Sequence, residues 1–446
     1  MTPTPRPPLS DSPAKKSMVA AWYGLIVLLL ATVFASIDRN ILLLVTEPLK
    51  HSLGLSDTQI GVLNGIALSL FATVASFPMG WLADRIDRRL LLAVCVLIWS
   101  VATAAIGFAH SFMELFLCGT GIAVGEAVLG PITYSLIPDL FPRERWILAN
   151  YIFFLAGILG AALGLSLSGA MIGVIESIRH SLPAAFSHLD TWRLAMLAVA
   201  APGPVIAALI LLIRLARRTQ SADATPAPPL LAYFRTHART LAGIFLGFGF
   251  AAAASGTVGM WTPVALVRVF HESATDTGVR LGLISAIGSV AGVLLSGVLV
   301  RATRPGLGDA AALRVAQMGV LASMLLTPFI LLVNNAMQIY GLTLLVSTAM
   351  HCSLALSPTL LQFTAPRELR GRVVALGGMA YIVFLSISPM FVGMVSDQLP
   401  HSPRSLLFAM VLVGVPFFAA GLLTLRFGEK TLAQTLAAAA EGEAES

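Results

Sequence analysis

What most limits the fold of this chain is a succession of uncharged apolar runs, each long enough to cross a bilayer, with the charge collected in the short segments between them. A spanning helix needs about 20 apolar residues. Runs that meet this requirement cover residues 18 to 46, 60 to 83, 90 to 109, 112 to 138, 147 to 175, 194 to 212, 240 to 267, 281 to 300, 315 to 333, 336 to 364, 373 to 395 and 406 to 425. Composition agrees: of 446 residues, 57% are hydrophobic and only 11% charged, against about 25% in an ordinary soluble chain. Too little polar surface remains to coat a water-soluble particle, and disorder, coiled coil and collagen are excluded. The expected fold class is all-α integral membrane, with twelve transmembrane helices in two pseudo-symmetric six-helix bundles.

The distribution of Lys and Arg gives an orientation, because these residues are retained preferentially in cytoplasmic loops. With the N-terminus inside, the cytoplasmic segments hold 21 of the 28 cations and the opposite side holds six, while Arg39 lies within span one. Both termini are thus expected in the cytoplasm, with the chain in a cell membrane of the bacterial inner-membrane kind. A net charge of +6 raises nucleic acid as a partner, but no extramembrane basic tract exceeds three residues, so the charge is assigned to cytoplasmic loops facing the lipid bilayer. Cys95, Cys118 and Cys352 are scattered through apolar runs, arguing against a disulfide framework or a zinc site. The first apolar run is full length with no small-residue cleavage pattern behind it, and is read as a retained helix rather than a signal peptide.

The largest break in apolar character falls at Arg214 to Arg239, with six runs on either side. The expected organisation is a cytoplasmic tail (1–17), an N-terminal bundle (18–213), a cytoplasmic linker (214–239), a C-terminal bundle (240–428) and a second tail (429–446), the last helical or disordered. The halves echo one another: Phe141-Pro142-Arg143-Glu144-Arg145 precedes span five as Ala365-Pro366-Arg367-Glu368-Leu369-Arg370 precedes span eleven, and Gly80-Trp81-Leu82 has a counterpart in Gly297-Val298-Leu299. Two such matches at nearly half the chain length favour a duplicated unit.

Between spans two and three stands GWLADRIDRR, Gly80 to Arg89. It resembles the signature loop of the major facilitator superfamily at Gly80, Leu82, Ala83, Asp84, Arg85, Arg88 and Arg89, departing at Asp87, where the pattern has Gly and a tight turn. The resemblance implies a cytoplasmic gate comprising Gly80, Asp84, Arg85, Arg88, Arg145 and Arg370, in which the Gly admits a close helix approach and Asp84 sits against the positive N-terminal end of span eleven near Gly371. Ile37-Asp38-Arg39-Asn40, Gly125-Glu126-Ala127, Tyr134-Ser135, Asp139-Leu140-Phe141-Pro142 and LSDTQIGVLNG from Leu55 to Gly65 are similar to the Spinster-like branch of that superfamily, which includes sphingolipid-phosphate transporters. Members of the branch usually carry an Arg in span four seven residues before the Glu; here that position is Gly119.

Counting residues at about 1.5 Å each places Asp38 roughly 12 Å and Glu126 roughly 21 Å from the outer face. Ionisable residues at such depth are functional candidates by default. Asp38 and Arg39 are adjacent and could form a structural ion pair or serve separate partners. Glu126, with Gly119 in place of the branch's Arg, is expected to lack a helical cation and to be the leading proton carrier. In the second half the expected acid is Asp397, placed at the cytoplasmic-half boundary of the loop after span eleven. His351 in span ten is a packing residue or a weak candidate for the proton-coupling and substrate cavity formed with Asp38, Arg39 and Glu126. Gln317, Gln362, Trp261 and Phe363, set among apolar stretches, suit an amphipathic ligand better than a sugar. No nucleotide-binding loop, metalloprotease pattern or nucleophile elbow occurs, so neither an ATP-driven pump nor an enzyme is indicated, and no cofactor or metal is expected. The expected function is secondary active transport by alternating access, coupled to protons and acting on an amphipathic lipid-like or drug-like small molecule, by a monomer. Proton-coupled uptake of a small organic anion and a non-transporting receptor or scaffold are the alternatives.

Overall fold

A computed structural model of the protein describes residues 18–444 other than 84, 143–144, 182, 184–185, 187, 215–229, 367–368 and 401. Spans one to six are Met18–Leu44, residues 57–83, Arg88–Ile106, Phe112–Leu140, Trp146–Ile178 and Thr191–Leu211. Spans seven to twelve are Ala238–Phe270, Ala274–Leu307, residues 311–332, Ala336–Phe363, Arg370–Gln398 and Ser405–Glu429. The apolar stretch Ala274–Leu332 contains spans eight and nine, since its 59 residues would be several times too long for one crossing.

Proline explains where helices break. Span four divides into Phe112–Glu126 and Leu129–Leu140, and span ten into Ala336–Leu354 and Ser357–Phe363. In each, a proline (Pro131, Pro358) lies four residues after the end-region carbonyl (Ala127, Leu354) that its ring would strike, and supplies no N–H to the ladder. The same device at the same place in both halves extends the internal repeat. Span two is drawn out differently: after the short helix Asp57–Val62, residues Leu63–Leu70 are wound as a π-helix.

The halves meet through span five against span eight and span two against span eleven. Glycine sets these contacts, because helices in lipid associate through close packing and not through water exclusion. A Cβ on Gly61 would meet the Pro389 carbonyl oxygen at 2.4 Å, one on Gly65 the Ser386 carbonyl oxygen at 2.1 Å, one on Gly393 the Asp57 carbonyl oxygen at 2.2 Å, and one on Gly169 the Gly278 Cα at 2.9 Å. These positions lie at or toward the end of the molecule that holds the turn at 54–56 and the loop after span eleven, here called the far end.

The linker end is different. Gly80, Gly157, Gly297, Gly371 and Gly378 have nothing within 4 Å of an added Cβ, and span eleven packs chiefly against residues 57–70 of span two and little against 71–83, so the halves diverge along this pair from the far end toward the linker end. The expected close approach at Gly80 is therefore not made.

Two further helices attach to the linker end of the second half. Leu230–Thr236, within the expected linker, places the Tyr233 hydroxyl 2.6 Å from the Thr364 carbonyl oxygen. The expected tail forms the helix Leu432–Ala444, whose Thr435 hydroxyl donates to Thr240 at 2.8 Å while Leu432 is buried. Its root is fixed by Arg314 and Gln317, which bind the Glu429 carboxylate at 2.5 and 3.1 Å.

Candidate functional site

Span one is surrounded: it packs against spans four, five, six, seven and eight. A polar side chain that lies deep among these helices and is nevertheless exposed opens into a cleft between them. Arg39 is such a residue, its side chain 52% exposed, and its Nη2 is paired with Glu126 Oε2 at the last residue before the break in span four. The Glu126 side chain is 4% exposed. Its other oxygen, Oε1, is buried without a partner among the described residues.

The expectation that Glu126 lacks a cation is thus corrected: Arg39 arrives from a different span. Sequence spacing searches along one helix, whereas this pair joins residues 87 apart. Gly119 does not replace a missing ligand to Glu126. It packs on span two, where an added Cβ would lie 3.2 Å from Leu63 and 3.3 Å from Ala67.

Asp38 belongs to a second arrangement. It is buried, and its Oδ2 accepts a hydrogen bond from the Thr103 hydroxyl of span three at 2.6 Å, while Oδ1 has no partner among the described residues. Thr103 Oγ1 also lies 3.0 Å from the Trp99 carbonyl oxygen. One hydroxyl proton thus faces two acceptors. A proton on Asp38 resolves the competition: Asp38 donates to Thr103, and Thr103 donates to Trp99. Of the two carboxyls, Glu126 is in an ion pair and Asp38 is in none among the described residues.

His351 is not brought to this site. It lies between spans eight and ten, with Nδ1 2.8 Å from the Ser347 carbonyl oxygen and Nε2 3.1 Å from Ser289 Oγ. Two of the residues expected to line the second half are also placed elsewhere. Trp261 is wholly buried, its indole N–H donating to the Pro389 carbonyl at 3.2 Å, and Gln317 is buried against Glu429. Phe363 is exposed. An aromatic group that sequence spacing did not single out joins spans seven, eleven and twelve: Phe250 stands 4.8 Å from Phe384 and 6.2 Å from Phe417, centroid to centroid.

Among the expected gate residues, Asp84 lies outside the described residues. Arg85 covers the Trp81 ring at 3.7 Å. Arg88 is bound within the first half, to Asp139 and to the Ser135 carbonyl at 2.8 Å. Arg145 precedes span five and is exposed. Arg370 donates to the carbonyls of Gln362 and Ala365 at 3.1 and 3.2 Å, joining span eleven to the end of span ten. Asp87 needs no glycine geometry: at φ −58° it caps span three, accepting from the Arg89 N–H at 2.9 Å. The Arg89 side chain, hydrogen-bonded to the same carboxylate, holds it below the ordinary carboxyl range.

Asp397 requires a larger correction. It lies at the far end, opposite Asp87 and Arg89, because span eleven ends there. Its Oδ1 accepts from the Asp57 N–H and its Oδ2 from the Thr58 N–H, both at 2.9 Å. Ser56 Oγ accepts from the Gln59 N–H at 3.1 Å and Gln59 Oε1 from the Ser56 N–H at 2.9 Å, so all four free donors at the start of span two are satisfied. Arg268, at the end of span seven, grips Glu47 at 2.6 Å and both oxygens of Asp57 at 2.7 Å. Lys50 and Ser396 complete the shell of Asp57, the latter at 2.7 Å. These residues line a cavity of about 370 Å³. The Ser56 to Gln59 capping pattern was the available sequence signal. The ion pairs had none, since their members lie up to 221 residues apart.

The many-spanned helical fold, its paired halves and the charged cleft fit a multispan membrane transporter. The family model of the Major Facilitator Superfamily matches residues 28–389, and the chain belongs to that superfamily. It is similar to an MFS-type efflux pump of Mycolicibacterium smegmatis, at 28% identity with 85% of each chain covered, and to a probable L-galactonate transporter of Escherichia coli, at 25% identity over 88% of this chain and 85% of that one. A sphingosine-1-phosphate transporter of Danio rerio is 23% identical over 82% of this chain and 74% of that one. Among solved structures, a bacterial homologue of the human lysosomal transporter Spinster, inward-facing and unoccupied, matches with a TM-score of 0.76 at 21% identity, covering 97% of this chain and 99% of that one.

Proposed function

We propose that the protein moves an amphipathic lipid-like or drug-like organic molecule across a cell membrane by proton-coupled alternating access, with both termini cytoplasmic and the bodies 18–213 and 240–428 rocking about the joint between them. The observation that carries this reading is the exposed Arg39 guanidinium, held by Glu126 beside the buried carboxyl of Asp38 and its two-acceptor hydroxyl, Thr103. Arg39 offers a polar head group a charge-assisted contact, and the apolar composition of the surrounding spans suits a tail. Asp38 carries the coupled proton, since a bare carboxylate there would keep both an orphan oxygen and a contested hydroxyl. With the linker end cytoplasmic, the divergence of the halves makes this conformation inward-open.

Similarity to the efflux pump and to the sphingosine-1-phosphate transporter supports an amphipathic substrate. The probable L-galactonate transporter supports the second reading, uptake of a small organic anion on Arg39. Purified protein screened by thermal shift against lipids, cationic and neutral drugs and sugar acids separates the two, because a ligand that prefers the folded state raises the midpoint. Hits are then tested in liposomes under an imposed pH difference. Stabilisation confined to sugar acids would replace the first reading with the second, and transport of a hit indifferent to the pH difference would remove the coupling.

A further inference from the structure

The far-end charges pair across the halves, and each half contributes charges of both signs to the same cavity. In the observed arrangement Arg268 of the second half is bound to Glu47 and Asp57 of the first, and Asp397 of the second half is bound to the backbone of Asp57 and Thr58 of the first. Lys50, in the first half, is bound to Asp57 as well. His51, 3.7 Å from Glu47, is 79% exposed and stays with the first half. Separating the halves at this end breaks every contact of Arg268 and Asp397 just named. It breaks none between Lys50 and Asp57.

Arg268 and Asp397 then stand on the same half, both released from contact with Asp57 and both facing the same cavity. Arg268, 15% exposed in the closed arrangement, loses both counter-ions on opening, and an ion stripped of its counter-ion is costly wherever solvation is incomplete. We propose that the far end is a partner-exchange latch: on opening, Arg268 passes from Glu47 and Asp57 to Asp397, while Lys50 stays with Asp57.

This differs from a simple lock in how two changes combine. In a simple lock, weakening Arg268 and weakening Asp397 each favour opening, independently of one another. In an exchange latch, Arg268→Gln favours opening, and Asp397→Asn favours opening less while Arg268 is present than in the Arg268→Gln variant. Asn has one acceptor oxygen where Asp397 uses two, so the closed arrangement is weakened in either case, but the loss of a counter-ion for Arg268 in the open arrangement exists only while Arg268 is there.

The latch rests on the alternating-access reading, and its test uses distances alone, so proton coupling and substrate identity do not enter. Spin labels are placed on Ser52→Cys and Ser402→Cys in full-length protein freed of Cys95, Cys118 and Cys352, and far-end distances are measured by double electron-electron resonance. Gly393→Ala supplies a background in which the open arrangement is populated, because its new Cβ would meet the Asp57 carbonyl oxygen. Gly61→Ala is the substitute if that variant does not fold. In either background the latch requires Arg268→Gln to enlarge the longer-distance population, and Asp397→Asn to enlarge it less beside Arg268 than in combination with Arg268→Gln. An equal effect of Asp397→Asn with and without Arg268→Gln overturns the latch and leaves alternating access intact. Absence of any longer-distance population in both wedge backgrounds overturns the latch together with the alternating-access reading.

Discussion

Arg39 and Glu126 form an ion pair between spans one and four in which the carboxylate is buried and the guanidinium faces the cleft. The asymmetry gives the partners different duties. Glu126 has no other cation among its described contacts, whereas Arg39 presents its open side to the cleft.

Removing Arg39 should therefore harm folding more than removing the charge of Asp38. Arg39→Gln strands a buried carboxylate, a loss of about 3–5 kcal/mol when the charge is retained. Asp38→Asn keeps an oxygen for Thr103 and removes an unpartnered charge, so its thermal midpoint should be at or above that of the parent protein. Thermal denaturation in one detergent checks the order. The reverse order would show that Asp38, not Glu126, is the carboxylate Arg39 stabilises.

Coupling should follow the other residue. In liposomes, Asp38→Asn should still exchange substrate down its own gradient yet lose accumulation driven by a pH difference. Thr103→Val should weaken accumulation in the same direction, since it removes the hydroxyl that receives the proton-bearing form. Full pH-driven accumulation by Asp38→Asn would move the coupling role to Glu126.

Arg88→Ala should loosen the first half internally without opening a contact between halves. It removes a charge-assisted pair to Asp139 and a bond to the Ser135 carbonyl, at a cost of about 1.5–3 kcal/mol. The check is a lower thermal midpoint with an unchanged Ser52→Cys to Ser402→Cys distance. A changed distance would assign Arg88 to the gate after all.

Asp87 carries a pH-dependent contribution. Its carboxyl is held below the ordinary range chiefly by the Arg89 side chain, so the stabilisation is fully present above the unfolded-state carboxyl pKa and disappears as pH falls through the lower folded-state value. Asp87→Ala should lower the midpoint at neutral pH, by the order of one helix cap, about 1 kcal/mol. That difference should vanish in acid. Asp87→Gly should cost less, because glycine is tolerated at a cap.

Sequence by itself determined the twelve crossings and the division into paired halves, because crossing a bilayer requires long uncharged runs and these are contiguous in the chain. It also marked Asp38, Arg39 and Glu126, because charge at such depth stands out against any apolar background. Only the tertiary structure decided who pairs with whom. Arg39 chooses Glu126 over its neighbour Asp38 because successive helical residues point about 100° apart, and Asp38 turns instead to Thr103 on span three. The far-end cluster of Glu47, Lys50, Asp57, Arg268, Ser396 and Asp397 was equally hidden: each member alone reads as ordinary interfacial polarity at a span end, and its meaning arises where spans two, seven and eleven converge. Crossing a membrane is a local property of one segment, legible residue by residue, while neutralising a charge depends on which segments the fold brings within hydrogen-bonding distance.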